Sequence, residues 1–168
     1  MHVVLVAPEI PPNTGNVARL CVSTGARLHL VRPLGFSLED RYLKRAGLDY
    51  WPQLDLTVHD DLGAFLAAKG GDPMVLASTR AGRPYTEAAY GEDTWLVFGA
   101  ETEGLPESLL GRFPEAGVRI PMWGPSRCLN LSNAVAVVLF EALRQARPEA
   151  FYPARPSETP PSARVARA

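Results

Sequence analysis

Short apolar runs alternate with amphipathic stretches along most of the chain. Residues 3–7 are continuously apolar and closed by Pro8, the pattern of a strand buried on both faces of a parallel sheet. Residues 28–31, 54–58, 74–77, 95–98 and 118–120 read as five further strands. Val17, Leu20, Cys21 and Thr24 recur at helical spacing, which predicts a helix over 15–24, capped by Asn13 or Thr14 and stopped by Gly25. Arg19 points away from that apolar stripe. The preceding stretch, 8–15, contains three prolines and reads as a rigid loop, because proline removes backbone donors. Further helices are expected over 37–46, with Ser37 as cap, from Asp60-Asp61 to Lys69, and over 106–112. Strands alternating with helices predict a three-layer, mainly parallel α/β sheet.

The densest stretch begins at Arg119. A strand end and a loop bearing Pro121, Gly124 and Pro125 lead to Asn130, Ser132 and Asn133, and then to a helix over 134–144 almost without polar side chains. Such a helix must be covered on nearly all sides, by its own core, a partner subunit or both. The three polar residues are natural caps for its free N–H groups. After Arg147 five prolines punctuate a segment poor in aliphatic residues, so residues 1–147 are expected to form one domain and 148–168 a mobile tail or a surface strap.

Composition narrows the class. A chain of 168 residues is one domain by length, with 46% hydrophobic and 21% charged residues and a formal net charge of -1. Nothing in that balance announces nucleic acid. Arg27, Arg32, Arg41, Lys44 and Arg45 form a local basic patch that suits phosphates or a solvated helix face equally. No apolar run reaches the ~18–20 residues needed to cross a bilayer, and no signal segment is recognisable, so no membrane is implied and a cytoplasmic protein is expected. Cys21 and Cys128 follow no metal-ligand spacing, so reduced thiols and no metal are expected.

In an open α/β sheet, ligands collect beyond the carboxyl ends of the strands. Loops 8–15, 99–106 and 121–133 leave the sheet at that edge. Gly99 and Gly104 either admit a ligand close to the backbone or simply make a turn. Dinucleotide and triphosphate loops are absent, and Gly124 to Cys128 does not form a nucleophile elbow. His2, His29 and His59 adjoin strands rather than these loops, which leaves a serine hydrolase without a base.

Pro8-Glu-Ile-Pro-Pro-Asn-Thr-Gly-Asn-Val-Ala-Arg-Leu-Cys21, Phe98-Gly-Ala-Glu-Thr-Glu-Gly-Leu-Pro106, and Arg119-Ile-Pro-Met122 with Leu129-Asn-Leu-Ser-Asn-Ala-Val135 resemble the three motifs of the SPOUT RNA methyltransferases. Within them the chain is most similar to the tRNA wobble-nucleotide (cytidine/uridine) 2′-O-methyltransferases. The likeness runs from Val3 to about Gln145 and includes Arg45-Ala-Gly-Leu-Asp-Tyr50. It implies a deep trefoil knot toward the C-terminus, a homodimer, S-adenosylmethionine as cofactor and tRNA as partner. The family's cofactor contacts fall on Ser78, Thr79, Gly99, Gly104, Ile120, Met122, Cys128, Leu129 and Leu131. Its catalytic group falls on Arg19, with Asn13, Asn130 and Ser132 orienting. A guanidinium holds its proton far above neutral pH, so charge stabilisation of a forming alkoxide suits it better than base catalysis.

Two positions depart from the resemblance: Glu103 stands where many relatives carry arginine, and Cys128 where they often carry serine. They motivate an alternative, a catalytically inactive knot protein that binds RNA. Another alternative keeps the fold and cofactor but acts on a different tRNA or rRNA position.

Overall fold

The computed structural model describes residues 1–38 and 51–152. Six strands, β1 (His2–Val6), β2 (Arg27–Val31), β3 (Leu56–His59), β4 (Met74–Ala77), β5 (Trp95–Phe98) and β6 (Gly117–Val118), form one sheet in the order β3-β2-β1-β5-β4-β6. Every neighbouring pair is parallel. The expected three-layer α/β sheet is therefore observed. The expected helix over 37–46, the basic residues Arg41, Lys44 and Arg45, and the tail beyond Tyr152 lie outside the described residues; Arg27 and Arg32 form exposed ion pairs with Asp55 and Asp60.

Alternate residues of β1 serve opposite faces, as the period of a strand requires. Val3 and Leu5 join Leu28, Leu30, Leu96 and Phe98 beneath two helices, α1 (Pro11–Thr24) and the long helix Leu131–Ala146. Val4 and Val6 join Leu76, Trp95 and Val97 beneath α2 (Leu62–Lys69) and α3 (Glu107–Arg112). The helix Leu131–Ala146 is α4, and a single turn, α5 (Pro148–Phe151), follows it. Asp61 caps α2 through a 2.8 Å bond from the Ala64 N–H, and Gly25 ends α1 at φ 69.

The start of α1 differs from the sequence expectation. The helix begins at Pro11 rather than Gly15, its N-cap is Ile10 without a side-chain bond, and neither Asn13 nor Thr14 caps it. Two prolines at the first helical positions cost nothing there, because their missing N–H groups would have had no intrahelical partner. Asn13 is thereby freed for another task. At the other end, β6 stops at Val118; Arg119 makes only an isolated bridge to Pro84, and Ile120 lies beyond the strand.

The three histidines, expected to be structural or exposed, form a buried ladder across adjacent strands. His2 Nδ1 lies 2.9 Å from His29 Nε2, and His29 Nδ1 lies 3.0 Å from His59 Nε2. Neutral rings offer one donor and one acceptor each, so the ladder closes when all three carry their hydrogens in the same sense. The Trp95 ring stacks on His2 at 4.1 Å between centroids, and its indole N–H donates to Asp72. Burial, reinforced by the neighbouring His2 and His59, lowers His29 to about 3, and burial also lowers His2 and His59.

A histidine lowered on folding takes up protons first in the unfolded chain. Its stabilising contribution is complete above the unfolded value of 6.5 and drains away as pH falls toward about 3. Denaturant unfolding between those limits is expected to show stability falling with pH, by up to ~1.4 kcal/mol per pH unit per proton. Imidazole nitrogen resonances should show His29 neutral at pH 5. A charged His29 at that pH would contradict the ladder.

Candidate active site

Strands β1, β5 and β4 end side by side, and the chain that leaves them encloses a cavity of about 600 Å³. Its floor is apolar, with Ala77, Phe98, Ile120, Leu129 and Leu131, while Arg80, Glu101, Glu103 and Arg127 stand in its wall. That volume is in the range of ~300–1,000 Å³ usual for small-molecule sites. Among the described residues no cluster of His, Cys, Asp or Glu is placed to hold a metal ion, and no helix is long and apolar enough to cross a membrane.

The wall is fixed by a reciprocal clasp between two loops. The Glu101 carboxylate accepts the Glu9 N–H at 2.8 Å, the Ile10 N–H at 3.3 Å and the Asn13 side-chain amide at 2.9 Å. It thus places negative charge at the amino end of α1, where the helix dipole favours it. Glu9 returns the contact, accepting the Thr102 N–H at 3.0 Å and its hydroxyl at 2.7 Å. Gly35 packs behind Glu9 so closely that an added Cβ would lie 2.7 Å from the Glu9 Cα. Ala7, where the chain leaves β1, has φ 50, a left-handed conformation that costs a non-glycine residue about 1–2 kcal/mol.

From Glu101 a hydrogen-bonded chain crosses to the last loop. Asn13 donates to Glu101 and accepts from the Asn130 amide at 2.9 Å; Asn130 Oδ1 accepts from the Ser132 N–H at 3.0 Å and hydroxyl at 2.7 Å. Asn130 is therefore the cap of α4, as a helix-start asparagine should be, and also the link between two loops 117 residues apart.

The glycines answer to the loop itself. A Cβ on Gly99 would lie 2.0 Å from the Gly104 carbonyl carbon, and Gly104 has φ 74. Ala100 and Gly104 exchange both backbone hydrogen bonds, closing the turn on itself. Turn-making thus suffices to explain both glycines, and the turn they make forms part of the cavity wall.

Of the positions singled out in the sequence, Asn13, Ser78, Thr79, Gly99, Gly104, Ile120, Met122, Cys128, Leu129, Asn130 and Leu131 all line this cavity. Ser132 stands behind Asn130 and reaches the site only through it. Arg19 is exposed on α1 and is not among the lining residues. Glu101 is not legible in the sequence: it sits between two glycines in a loop whose other acid, Glu103, draws attention, and only the fold shows which of the two binds the first loop. Cys21 is buried in the core, which pushes its thiol up to about 12 and disqualifies it as a nucleophile.

The model of the SpoU rRNA methylase family matches residues 1–140. The chain belongs to that family. It is 56% identical over 148 residues to the tRNA (cytidine(34)-2'-O)-methyltransferase of Burkholderia ambifaria, covering 86% of this chain and 95% of the relative. To the tRNA (cytidine(34)-2'-O)-methyltransferase of Escherichia coli K12 it is 47% identical over 146 residues, covering 86% and 93%. Among solved structures, one described as giving structural insights into the 2-OH methylation of C/U34 on tRNA superposes with a TM-score of 0.83 at 51% identity, covering 86% of this chain and 94% of that one. The SpoU methyltransferase AviRb of Streptomyces viridochromogenes, solved in complex with AdoMet, superposes with a TM-score of 0.73 at 25% identity, covering 86% and 60%.

Replacing Glu101 by Gln keeps its shape but removes the charge that three N–H groups converge on. Hydrogen bonds to a charged group are worth ~1.5–3 kcal/mol each, so a loss of at least about 1 kcal/mol in denaturant unfolding is expected. An unchanged midpoint would show that the carboxylate charge does not join the loops.

Proposed function

We propose that the chain transfers the methyl group of S-adenosylmethionine to the ribose 2′-oxygen of the wobble nucleotide, cytidine or uridine 34, of tRNA. One observation carries this reading: the three motif loops, far apart in sequence, converge on a single cavity at the carboxyl edge of the sheet. The residues present suit the cofactor. An apolar floor accepts a purine, and loop backbone in the wall supplies donors and acceptors.

When bound, the cofactor supplies a methyl group on a cationic sulfur; the protein supplies aim. Cavity-wall residues Ser78, Thr79, Gly99, Gly104, Ile120, Met122, Cys128, Leu129 and Leu131 hold the cofactor in this reading. Asn13, Asn130 and Ser132 form a linked set that orients the incoming ribose, Ser132 by way of Asn130, and Glu101 keeps Asn13 in register with them. Orientation of this kind is worth up to ~7–11 kcal/mol of barrier. The resemblance assigns to Arg19, exposed on α1 and outside the cavity lining, the negative charge that grows on the 2′-oxygen, a role that asks a guanidinium to keep its proton rather than lose it.

The reading includes a trefoil knot in the stretch that threads from β6 into α4, and a homodimer. The outer side of α4 supports the second. Leu131, Val135, Val138, Leu139, Ala142 and Leu143 are buried, yet Phe140 remains 47% exposed and Ala136 and Val137 are only half-buried. An apolar surface of that kind calls for a cover. We place the enzyme in the cytoplasm, with its tRNA.

Mapping 2′-O-methyl nucleotides in tRNA from cells with and without the protein tests the proposal; methylation at position 34 that does not depend on the protein overturns it. Arg19→Ala is expected to lower methyl transfer at least about 100-fold while calorimetry shows unchanged cofactor affinity. Loss of affinity instead would move Arg19 from chemistry to structure. Cys128→Ser and Glu103→Arg measured beside the parent address the inactive-knot reading: a parent that transfers no methyl while either variant does would establish it.

A further inference from the structure

Trp123 is 93% exposed. The other two tryptophans are accounted for: Trp95 is buried in the histidine ladder, and Trp51 packs against the main core. Phe140 and Phe151 meet edge to face at 6.3 Å between centroids. Among the described residues the Trp123 indole stacks on no other ring. A large apolar ring left in water on a loop forgoes ~1.5–3 kcal/mol of burial, so its position invites a functional account.

Its neighbours say where it stands. Met122, the preceding residue, and Arg127, four residues on, both line the cavity. Consecutive Cα atoms are about 3.8 Å apart, so the indole is rooted at the rim of the cavity while its ring projects outside. Pro121 and Pro125 bracket it and fix two φ angles of the short loop. Holding the ring on a stiffened segment reduces the entropy lost when something settles on it. Arg80 and Arg127 add two cations to the lining of the cavity; of its two carboxylates, Glu101 is satisfied by N–H donors and Glu103 is exposed.

The geometry points to Trp123 as a stacking platform for a nucleobase of the RNA substrate, with Arg80 and Arg127 meeting the flanking phosphates. This deepens the function proposed above and rests on it. A ribose offers only hydroxyls to grip, so the sugar is held best through what is attached to it, its base and its phosphates. Stacking on an indole tolerates any base because every base has a π-face. It steadies cytosine and uracil alike, which suits a site acting on either pyrimidine and leaves the choice of tRNA to other contacts. A second copy of the chain is the competing occupant of an exposed indole; Arg127, four residues from the indole, and Arg80 favour a polyanion there, with Glu103 the one exposed acid of that lining.

The test uses the full chain and three versions of it: parent, Trp123→Ala and Trp123→Phe. Base stacking on an aromatic ring corresponds to roughly 5- to 150-fold in affinity. In steady-state transfer to tRNA, Trp123→Ala is expected to raise KM for tRNA within that span, with kcat within about threefold and calorimetric cofactor affinity unchanged. Trp123→Phe should recover most of the loss. A pentaribonucleotide with a central cytidine should quench the emission of the parent, and that quenching should be absent from Trp123→Phe. An unchanged KM in the alanine variant overturns the inference. So does weakened cofactor binding, which makes the indole part of the cavity wall, or a lighter species in sedimentation, which makes it an interface residue. Should the parent quench with oligonucleotide but methylate no tRNA, the stacking site stands and the proposed reaction falls; methylation without quenching does the reverse.

Discussion

The exchange of hydrogen bonds between Glu9 and Glu101 joins the two loops that leave β1 and β5, and the rest of the site is built on that join. Parallel strands bring three chain exits to one edge, but an edge alone is an open surface. The clasp turns it into a wall. Glu101 also sets its charge at the amino end of α1, accepting the Ile10 N–H just before that helix begins on two prolines whose missing N–H groups need no cap. Asn13, no longer needed as a cap, becomes the middle member of a chain reaching Asn130 and Ser132. Removing one acceptor therefore disturbs a helix start, a loop and the polar face of the cavity together, since buried polar networks fail as units.

The fold was legible wherever local pattern decides structure. Strands β4 and β5 fall on the expected residues because their apolar runs are bounded on both sides. The start of α1 was misplaced because proline was weighed as a breaker, although at the first helical positions it breaks nothing. The cavity wall was legible through motif resemblance, residue by residue, whereas Glu101 was not, because its partners lie 88 to 92 residues away. The histidine ladder shares that character. His2, His29 and His59 come into line only through the register of three strands, and register is a property of pairing, not of any one segment.

Helix α4 binds fold and site together. Its amino end carries the Asn130 cap and so the far end of the polar chain, and its middle turns pack on the sheet with α1. The same turns expose Phe140 on the opposite side. A shift of this helix along its axis by one residue, about 1.5 Å, would break the 2.9 Å bond between Asn130 and Asn13. The packing of this helix on the sheet thus also holds the polar chain at its amino end.

This arrangement also shows which positions the hydrogen-bonded chain depends on. The hydrogen-bonded chain runs through Glu101, Asn13, Asn130 and Ser132 and includes neither Glu103 nor Cys128. Cys128 enters the bonding pattern through its carbonyl, which accepts the Ser126 hydroxyl at 2.9 Å. A backbone role is indifferent to whether the side chain ends in sulfur or oxygen. Glu103 is exposed in the turn that Ala100 and Gly104 close with their own backbone, so its replacement alters the charge at the rim without loosening the wall. The structure separates positions bound into the hydrogen-bonded network from positions outside it, and Glu103 and Cys128 fall in the second group.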